Sequence, residues 1–291
     1  MDLKPLKNYG LVGPPRRKGP KMLVFDIETA PYLIWAWDIW KTNAVDIFRE
    51  WWMLSFAYGW YDLKAKKVHK AHWVGINQDP KFEPFSNDDS YIVERLWRLQ
   101  HEAQVVIGQN HERFDIRKAN EKMLVHGLGP PSPYETVDVR NEYKRYFAGP
   151  AGLKYMTRRV DVAQKGENRG WPLWRDCIYG DKQAWREMRE YNLDDVIATA
   201  EMYVKLLPWI GQGNKRKHPN LGHWFPGGLT CPNCGNLDSE RGGLGFQFRG
   251  GGYNRTNAST YKTVLCKSCG KYPRMYQRES QRRSEDRVYL R

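Results

Sequence analysis

Apolar and polar positions along the middle of the chain form a pattern of buried strands and amphipathic helices. A continuous apolar run beginning at Met22 predicts a central strand covered on both faces, because a strand with one solvated face would alternate. Apolar spacing of three to four residues predicts the helices. The predicted strands lie within 22–30, 53–61, 67–74 and 105–107, and the predicted helices lie over 88–103, from 115 to a stop at Gly127, and over 182–207.

These elements suggest four segments. Residues 1–21 are rich in Pro, Gly and basic residues, and we expect a flexible basic arm. Residues 22–210 hold the strands and helices of one α/β domain with a mixed sheet, in which 31–52 is expected to be an inserted loop or short helix. Residues 211–273 form a linker and a small C-terminal module, and 274–291 is expected to be a mobile charged tail.

The net charge of +14 lies at the two ends of the chain. Residues 1–21 carry six Lys and Arg against one acid, and residues 211–291 carry fifteen against five, which leaves −1 for 22–210. Basic ends around a near-neutral middle are expected where the ends hold a polyanion and the middle acts on it. The alternative is that the basic ends only keep the protein in solution. Thirteen Trp and seventeen Tyr would suit base stacking as well as core packing.

The predicted central strand ends in two acids, Asp26 and Glu28. A spacing of two on a strand points both side chains to the same face. Carboxylates this close repel each other unless a cation lies between them, so the pair suggests a divalent metal site. Two solvated acids at a strand end are the alternative interpretation.

Further polar residues follow the next strand and lie on the last helix. Asn110 and Asp115 come just past the strand at 105–107, where a site is expected in an α/β sheet. For Asp115 considered alone, a helix N-cap is the better interpretation, because N-cap acids are common. Tyr191 and Asp195 are four apart and share one helix face. A buried acid such as Asp195 needs a partner, either a metal ion or a structural Arg.

Asp26-Ile-Glu28, Asn110-x-x-x-Phe-Asp115 and Tyr191-x-x-x-Asp195 resemble, in order and spacing, the three motifs of DEDDy 3′–5′ exonucleases. The likeness is to the proofreading domain of B-family DNA polymerases and to stand-alone bacteriophage exonucleases, and it covers about 22–210. It implies an RNase H-like fold, a mixed sheet flanked by helices. The remaining residues leave no room for a polymerase.

The same resemblance implies roles for the residues that match the motifs. Asp26, Glu28, Asp115 and Asp195 would hold two Mg²⁺ or Mn²⁺ ions for phosphodiester hydrolysis. Tyr191 would orient the attacking water, since its ordinary pKa near 10 does not suit a general base at neutral pH. The residues expected to bind substrate are Asn110 and Phe114 from the second motif and Lys165, which matches a family lysine that meets the scissile phosphate. Asn110 as a turn residue and Lys165 as a solvated side chain are the alternatives.

The C-terminal module contains two Cys-x-x-Cys-Gly sequences, at Cys231 and Cys234 and at Cys266 and Cys269. Two such turns complete a tetrahedral Zn²⁺ site, which predicts a structural zinc ribbon, with a pair of disulfides as the alternative. Between them lie Arg249, Arg255 and several aromatic residues, a mixture that is typical of nucleic-acid binding. A protein partner, such as a separate polymerase or replication protein, is the alternative occupant.

Taken together, the sequence predicts a 3′–5′ exonuclease acting on DNA, with single strands preferred, in replication, proofreading or repair. An exoribonuclease is the nearest alternative, because the same motifs serve both polymers. A non-catalytic nucleic-acid-binding adaptor on the same fold is the alternative from another class. No apolar stretch reaches the length of a membrane span, and the start lacks a signal-peptide core, so we expect a cytoplasmic protein, in the host cytoplasm if phage-encoded.

Overall fold

The computed structural model describes residues 19–40, 43–162, 168–210, 218–225, 230–236, 246–255, 260–277 and 288–290. The chain divides into two compact units. The larger unit is Lys21–Pro219, and the smaller unit holds the described residues of Asn220–Arg291. None of the helices within the described residues has the length and apolar character that crossing a membrane requires.

A five-stranded mixed sheet forms the centre of the larger unit, in the order β5-β4-β1-β6-β7. Strand β1 pairs antiparallel with β4 and parallel with β6, and β7 runs parallel to β6. This confirms the mixed sheet that the sequence predicts. The strands are β1 (Met22–Thr29), β4 (Met53–Asp62), β5 (Lys67–Gly75), β6 (Val105–Gly108) and β7 (Glu135–Asp138).

Strand β1 lies in the middle of the sheet, which explains its unbroken apolar run. Leu23, Val24 and Phe25 are all fully buried, because helices cover both faces of a central strand. The unbroken apolar run stops at Asp26, and this is where the strand reaches the site described below. The position of the acids is therefore set by a buried strand in the middle of the sheet.

Six helices surround this sheet in the described residues: α1 (Ser90–Glu102), α2 (Asp115–Val125), α3 (Val139–Tyr143), α4 (Leu153–Val160), α5 (Trp171–Ile178) and α6 (Lys182–Leu206). Helix α6 is 25 residues long and packs against β1, β4, β5 and β6. The side chain of Asp181 caps its start by accepting a hydrogen bond from the backbone N–H of Ala184, and Pro208 follows its end. As predicted, Trp185, Met188, Val196, Ala200 and Tyr203 face the core.

Between β1 and β4, the inserted segment forms a two-stranded hairpin, β2 (Leu33–Trp35) and β3 (Asp46–Arg49). The expectation of a loop or short helix is corrected here, because runs of aliphatic and aromatic residues favour paired strands over either. A backbone hydrogen bond from Ala30 to Trp52, 2.9 Å long, closes the base of the hairpin. Its outer aromatic residues are exposed, with Trp37 at 91% and Trp40 at 86%.

The smaller unit contains an antiparallel sheet in the order β11-β10-β9-β8. Its strands are β8 (Phe246–Arg255), β9 (Thr260–Cys266), β10 (Arg274–Gln277) and β11 (Val288–Leu290). Strands β10 and β11 pair with each other inside the segment expected to be a mobile tail. That expectation weighed the charges of the segment and overlooked its short β-forming runs, such as Val288-Tyr289-Leu290.

Candidate active site and zinc site

Three carboxylates from two elements meet at the end of β1. Oxygens of Asp26, Glu28 and Asp195 all lie within 4.8 Å of one another. The first two share a face of β1 because they are two residues apart, and α6 packs against that strand to bring in the third. Asp195 is 3% exposed, so its charge is largely removed from water. Three acids this close repel one another strongly unless a cation offsets their charge.

Asn192 orients Asp26, and no pattern in the sequence points to this residue. Its side-chain amide donates hydrogen bonds to Oδ2 of Asp26 at 2.9 Å and to the backbone carbonyl of Asp26 at 3.3 Å. Ser55 Oγ on β4 donates to Asn192 Oδ1 at 3.3 Å, which fixes the orientation of the amide. Asn192 is fully buried and lies three residues before Asp195, so one face of α6 both supplies and orients the acids.

Asp115, the fourth predicted acid, sits against this group rather than within it. The backbone N–H of Ile27, between Asp26 and Glu28, donates a 2.9 Å hydrogen bond to Asp115 Oδ1. Burial raises the pKa of Asp115 to about 7, with the charges of Asp138 and Asp195 adding to the effect. The structure therefore brings all four acids to one end of β1 and β6, where Asp115 also begins α2.

The hydroxyl of Tyr191 forms a side-chain hydrogen bond with Asp195, one helical turn along α6. Burial raises the pKa of Tyr191 above its ordinary value, and the charges of Asp195, Glu28 and Asp26 raise it further. The ring packs edge-on against Trp174, with centroids 5.9 Å apart. Tyr191 is thus a neutral hydrogen-bond donor at neutral pH, placed at the edge of the acidic group.

Asn110 adopts a left-handed backbone conformation, with φ of 60°, directly after β6. Its backbone N–H donates to Asp138 Oδ1 at 3.0 Å, and its Oδ1 accepts a 2.8 Å hydrogen bond from Arg140. Sequence reasoning missed Asp138 and Arg140, although polar residues after the third parallel strand were a usable signal. The turn that carries Asn110 is therefore fixed from β7 and α3.

Of the other residues predicted to bind substrate, only Phe114 has a described side chain. Phe114 precedes Asp115 at the start of α2, and its side chain is 38% exposed. Arg249 and Arg255 lie on β8, whose backbone alone is described at these positions. Lys165 lies outside the described residues. The roles of these residues stay predictions.

In the smaller unit, the four predicted cysteines converge. Sγ atoms of Cys231, Cys234, Cys266 and Cys269 lie within 4.8 Å of one another, and all four residues are buried. The Cys231 to Cys269 and Cys234 to Cys266 separations are both 3.8 Å, and none of the cysteines forms a disulfide. Four sulfurs about 2.3 Å from one Zn²⁺ in tetrahedral geometry would be about 3.8 Å apart, so the arrangement fits zinc.

Both cysteine turns are built alike. The backbone N–H of Gly235 donates to the carbonyl of Cys231 at 2.9 Å, and Gly270 donates to Cys266 at 2.8 Å. Each glycine has a positive φ, 68° for Gly235 and 73° for Gly270, and residues other than glycine rarely adopt this backbone conformation. The Cys-x-x-Cys-Gly spacing thus produces two equivalent turns that aim paired sulfurs at one point.

The acidic group fits a different metal. Its ligand atoms are carboxylate oxygens, which Mg²⁺ and Mn²⁺ prefer, and no thiol or imidazole joins them among the described residues. A divalent cation there would offset the repulsion among three close negative charges. The two clusters therefore differ in chemistry, with hard oxygen ligands in the larger unit and four sulfurs in the smaller unit.

Comparison with known proteins gave one family match. A family model described as the RNase_H superfamily matches residues 54–207, a range that includes Asn110, Asp115, Tyr191 and Asp195 and begins after Asp26 and Glu28. No curated protein matches the sequence. The chain is similar to the family B DNA polymerase of the hyperthermophilic archaeon Pyrobaculum calidifontis, at 17% identity and a TM-score of 0.46. The match covers 65% of this chain and 25% of that polymerase.

Proposed function

Because the chain belongs to the RNase H superfamily, we propose that it is a metal-dependent 3′–5′ exonuclease of the DEDDy class. The observation that carries the proposal is the convergence of Asp26, Glu28 and Asp195 within 4.8 Å. The hydrogen bond between the hydroxyl of Tyr191 and Asp195 supports the same assignment, because the DEDDy motifs place a tyrosine four residues before their last acid.

Each residue of the site has a role in this proposal. Asp26, Glu28, Asp115 and Asp195 hold a pair of Mg²⁺ or Mn²⁺ ions, which, when bound, stabilise negative charge at the phosphoryl group and acidify water. Asn192 keeps Asp26 turned toward the other acids through its 2.9 Å hydrogen bond. Tyr191 orients the attacking water by a hydrogen bond to its hydroxyl oxygen, and its raised pKa keeps the hydroxyl protonated.

The substrate in this proposal is the 3′ end of a nucleic-acid strand. The basic ends of the chain and the net charge of +14 favour a polyanion. Single-stranded DNA is our first choice, with RNA as the alternative substrate. The direction of digestion rests on the order of the three motifs, which matches the DEDDy class.

For the smaller unit we propose a structural zinc ribbon. Four thiolates leave no open position on the metal, so the ion would hold the fold and take no part in hydrolysis. The 3.8 Å spacing of the sulfurs supports this assignment. We propose that the ribbon binds nucleic acid through Arg249 and Arg255. The alternative is that the ribbon docks onto a protein partner such as a polymerase.

The proposal is tested by digesting 5′-labelled single-stranded DNA and RNA of one sequence with Mg²⁺ or Mn²⁺. The wild-type protein should give a ladder that shortens from the 3′ end, and Asp26→Ala/Glu28→Ala should give none. Glu135→Ala is the matched control, because it removes an exposed carboxylate from β7. The polymer that is shortened faster identifies the substrate class.

The adaptor alternative predicts a different result in the same assay. If neither polymer is cut while wild-type protein and the double variant bind it equally well, the exonuclease proposal fails. If short labelled fragments from internal cuts appear at the earliest times instead of a ladder, the chain is a nuclease but not an exonuclease.

A further inference from the structure

Lys118 lies on α2 beside the acidic end of β1. It is three residues after Asp115, on the same side of the helix. Its Nζ is 3.5 Å from Oγ1 of Thr29, the residue that follows Glu28 on β1. The ammonium group therefore stands next to the strand that carries the first two acids.

Two aromatic rings hold this ammonium group. Nζ of Lys118 lies 3.8 Å from the centroid of the Trp51 ring and 5.1 Å from that of Phe114. Trp51 is 1% exposed, and its indole N–H donates a 2.8 Å hydrogen bond to Glu121. A buried, anchored ring fixes the cation in one place and leaves its three N–H donors to other partners.

Lys118 has no ion-pair partner within the part of the chain that the structure describes. By contrast, Lys122, one turn along α2, lies 3.5 Å from a carboxylate oxygen of buried Asp89. Partial burial lowers the pKa of Lys118, the charge of Glu121 offsets this only in part, and the charge of Lys122 lowers the pKa further. A partly buried cation with rings and one hydroxyl around it is a ready site for an anion.

We propose that Lys118 binds a backbone phosphate of the strand whose 3′ end enters the acidic site, an inference that rests on the proposed function. An ammonium group is a point charge with several donors, which suits one phosphate rather than a particular base. The exposed ring of Phe114 beside it offers a stacking face for the base of the same nucleotide. Lys118 is a substrate-binding residue in this proposal, because its ammonium group contacts the phosphate directly.

The test measures binding without hydrolysis. A 5′-labelled single strand is titrated with protein in Ca²⁺ instead of Mg²⁺, at several salt concentrations, by fluorescence anisotropy. For Lys118→Gln and Lys118→Met we expect binding about tenfold weaker at low salt. The slope of log affinity against log salt should fall by about 0.7, the value for one phosphate contact on a single strand. Lys118→Arg should keep the wild-type slope.

Lys70→Gln is the matched control, because it removes one exposed lysine from the edge strand β5. It should bind with the wild-type slope. Two neutral variants are used so that one serves if the other unfolds. A wild-type slope in a folded Lys118→Gln or Lys118→Met protein that binds the strand would overturn this inference and leave the exonuclease proposal standing. Failure of the wild-type protein to bind any strand would overturn both.

Discussion

The side-chain amide of Asn192 donates a 2.9 Å hydrogen bond to Oδ2 of Asp26, and this bond joins α6 to the central strand. It holds the Asp26 carboxylate where one of its oxygens lies within 4.8 Å of oxygens of Glu28 and Asp195. A hydrogen-bond partner of a metal ligand sets the orientation of that ligand and so the affinity of the site for the metal.

Asn192→Ala is expected to weaken Mn²⁺ binding by about 10- to 100-fold, because Asp26 loses its fixed orientation. Isothermal titration calorimetry measures this directly. Met188→Ala is the control, since it truncates a fully buried side chain on the same helix outside the site. Equal losses of affinity in both variants would mean that Asn192 acts only through the stability of α6.

Tyr191→Phe is expected to lower kcat at saturating Mn²⁺ by about 100-fold, because the attacking water loses the hydroxyl that orients it. The ring would still pack against Trp174, and only the hydroxyl on Asp195 is lost. Because the pKa of Tyr191 is raised, its hydroxyl stays protonated up to pH 10. The wild-type and Tyr191→Phe rates should therefore depend on pH in the same way up to pH 10. A rate that returns to the wild-type value at saturating Mn²⁺ would place the hydroxyl in metal binding instead.

The stability of the metal-free protein should depend on pH through Asp115. Its pKa is raised to about 7 by burial, against 3.8 as the ordinary value, so between these values the folded state holds a proton that the unfolded state has lost. Stability from this group is thus complete below about pH 4 and decreases until about pH 7, by roughly 4 kcal/mol in all.

Urea unfolding of wild type and Asp115→Asn at pH 4.5, 6 and 7.5 checks the sign. The free energy of unfolding of Asp115→Asn should rise relative to that of the wild type as pH rises. Mg²⁺ should reduce this gain at pH 7.5, because a cation favours the carboxylate form. A difference between the two proteins that does not vary with pH would contradict the assignment.

Zinc content should depend on the four clustered cysteines alone. Elemental analysis is expected to give one Zn per chain for wild type and none for Cys231→Ala, since three thiolates no longer close the tetrahedron. Cys177→Ala is the control, because Cys177 is a buried thiol of α5 in the larger unit, with its pKa raised to about 12 by burial. Retention of zinc by Cys231→Ala would contradict the four-sulfur site.

Two tryptophans at the inserted hairpin should differ sharply in their effect on stability. Trp52 is 1% exposed, and Trp52→Ala should lower the free energy of unfolding by about 3–5 kcal/mol. Trp37 is 91% exposed, and Trp37→Ala should change it by less than about 0.5 kcal/mol. Urea unfolding measures both, and a large loss in Trp37→Ala would mean that the hairpin tip packs against other residues.

The larger unit was predictable where apolar periodicity is strong. Strands β1, β4, β5 and β6 and helices α1, α2 and α6 lie where the pattern places them, because each buries a regular set of apolar positions. Asn192 was not predictable, since a single amide on a helix has no pattern and its partner Asp26 is 166 positions away. The Asp138 and Arg140 contacts to Asn110 were missed because strand β7 itself was not predicted.

Helix α6 contributes Asp195 and Asn192 to a site whose first acids lie on β1, near the start of the larger unit. Synthesis proceeds from β1 toward α6, so a nascent chain on the ribosome carries Asp26 and Glu28 long before their partners exist. Until α6 has emerged, the acids have neither a third carboxylate nor the amide that orients them. A polypeptide truncated anywhere before this helix would lack the assembled cluster, and the order of the elements along the chain therefore delays assembly of the site until synthesis of the larger unit is nearly complete.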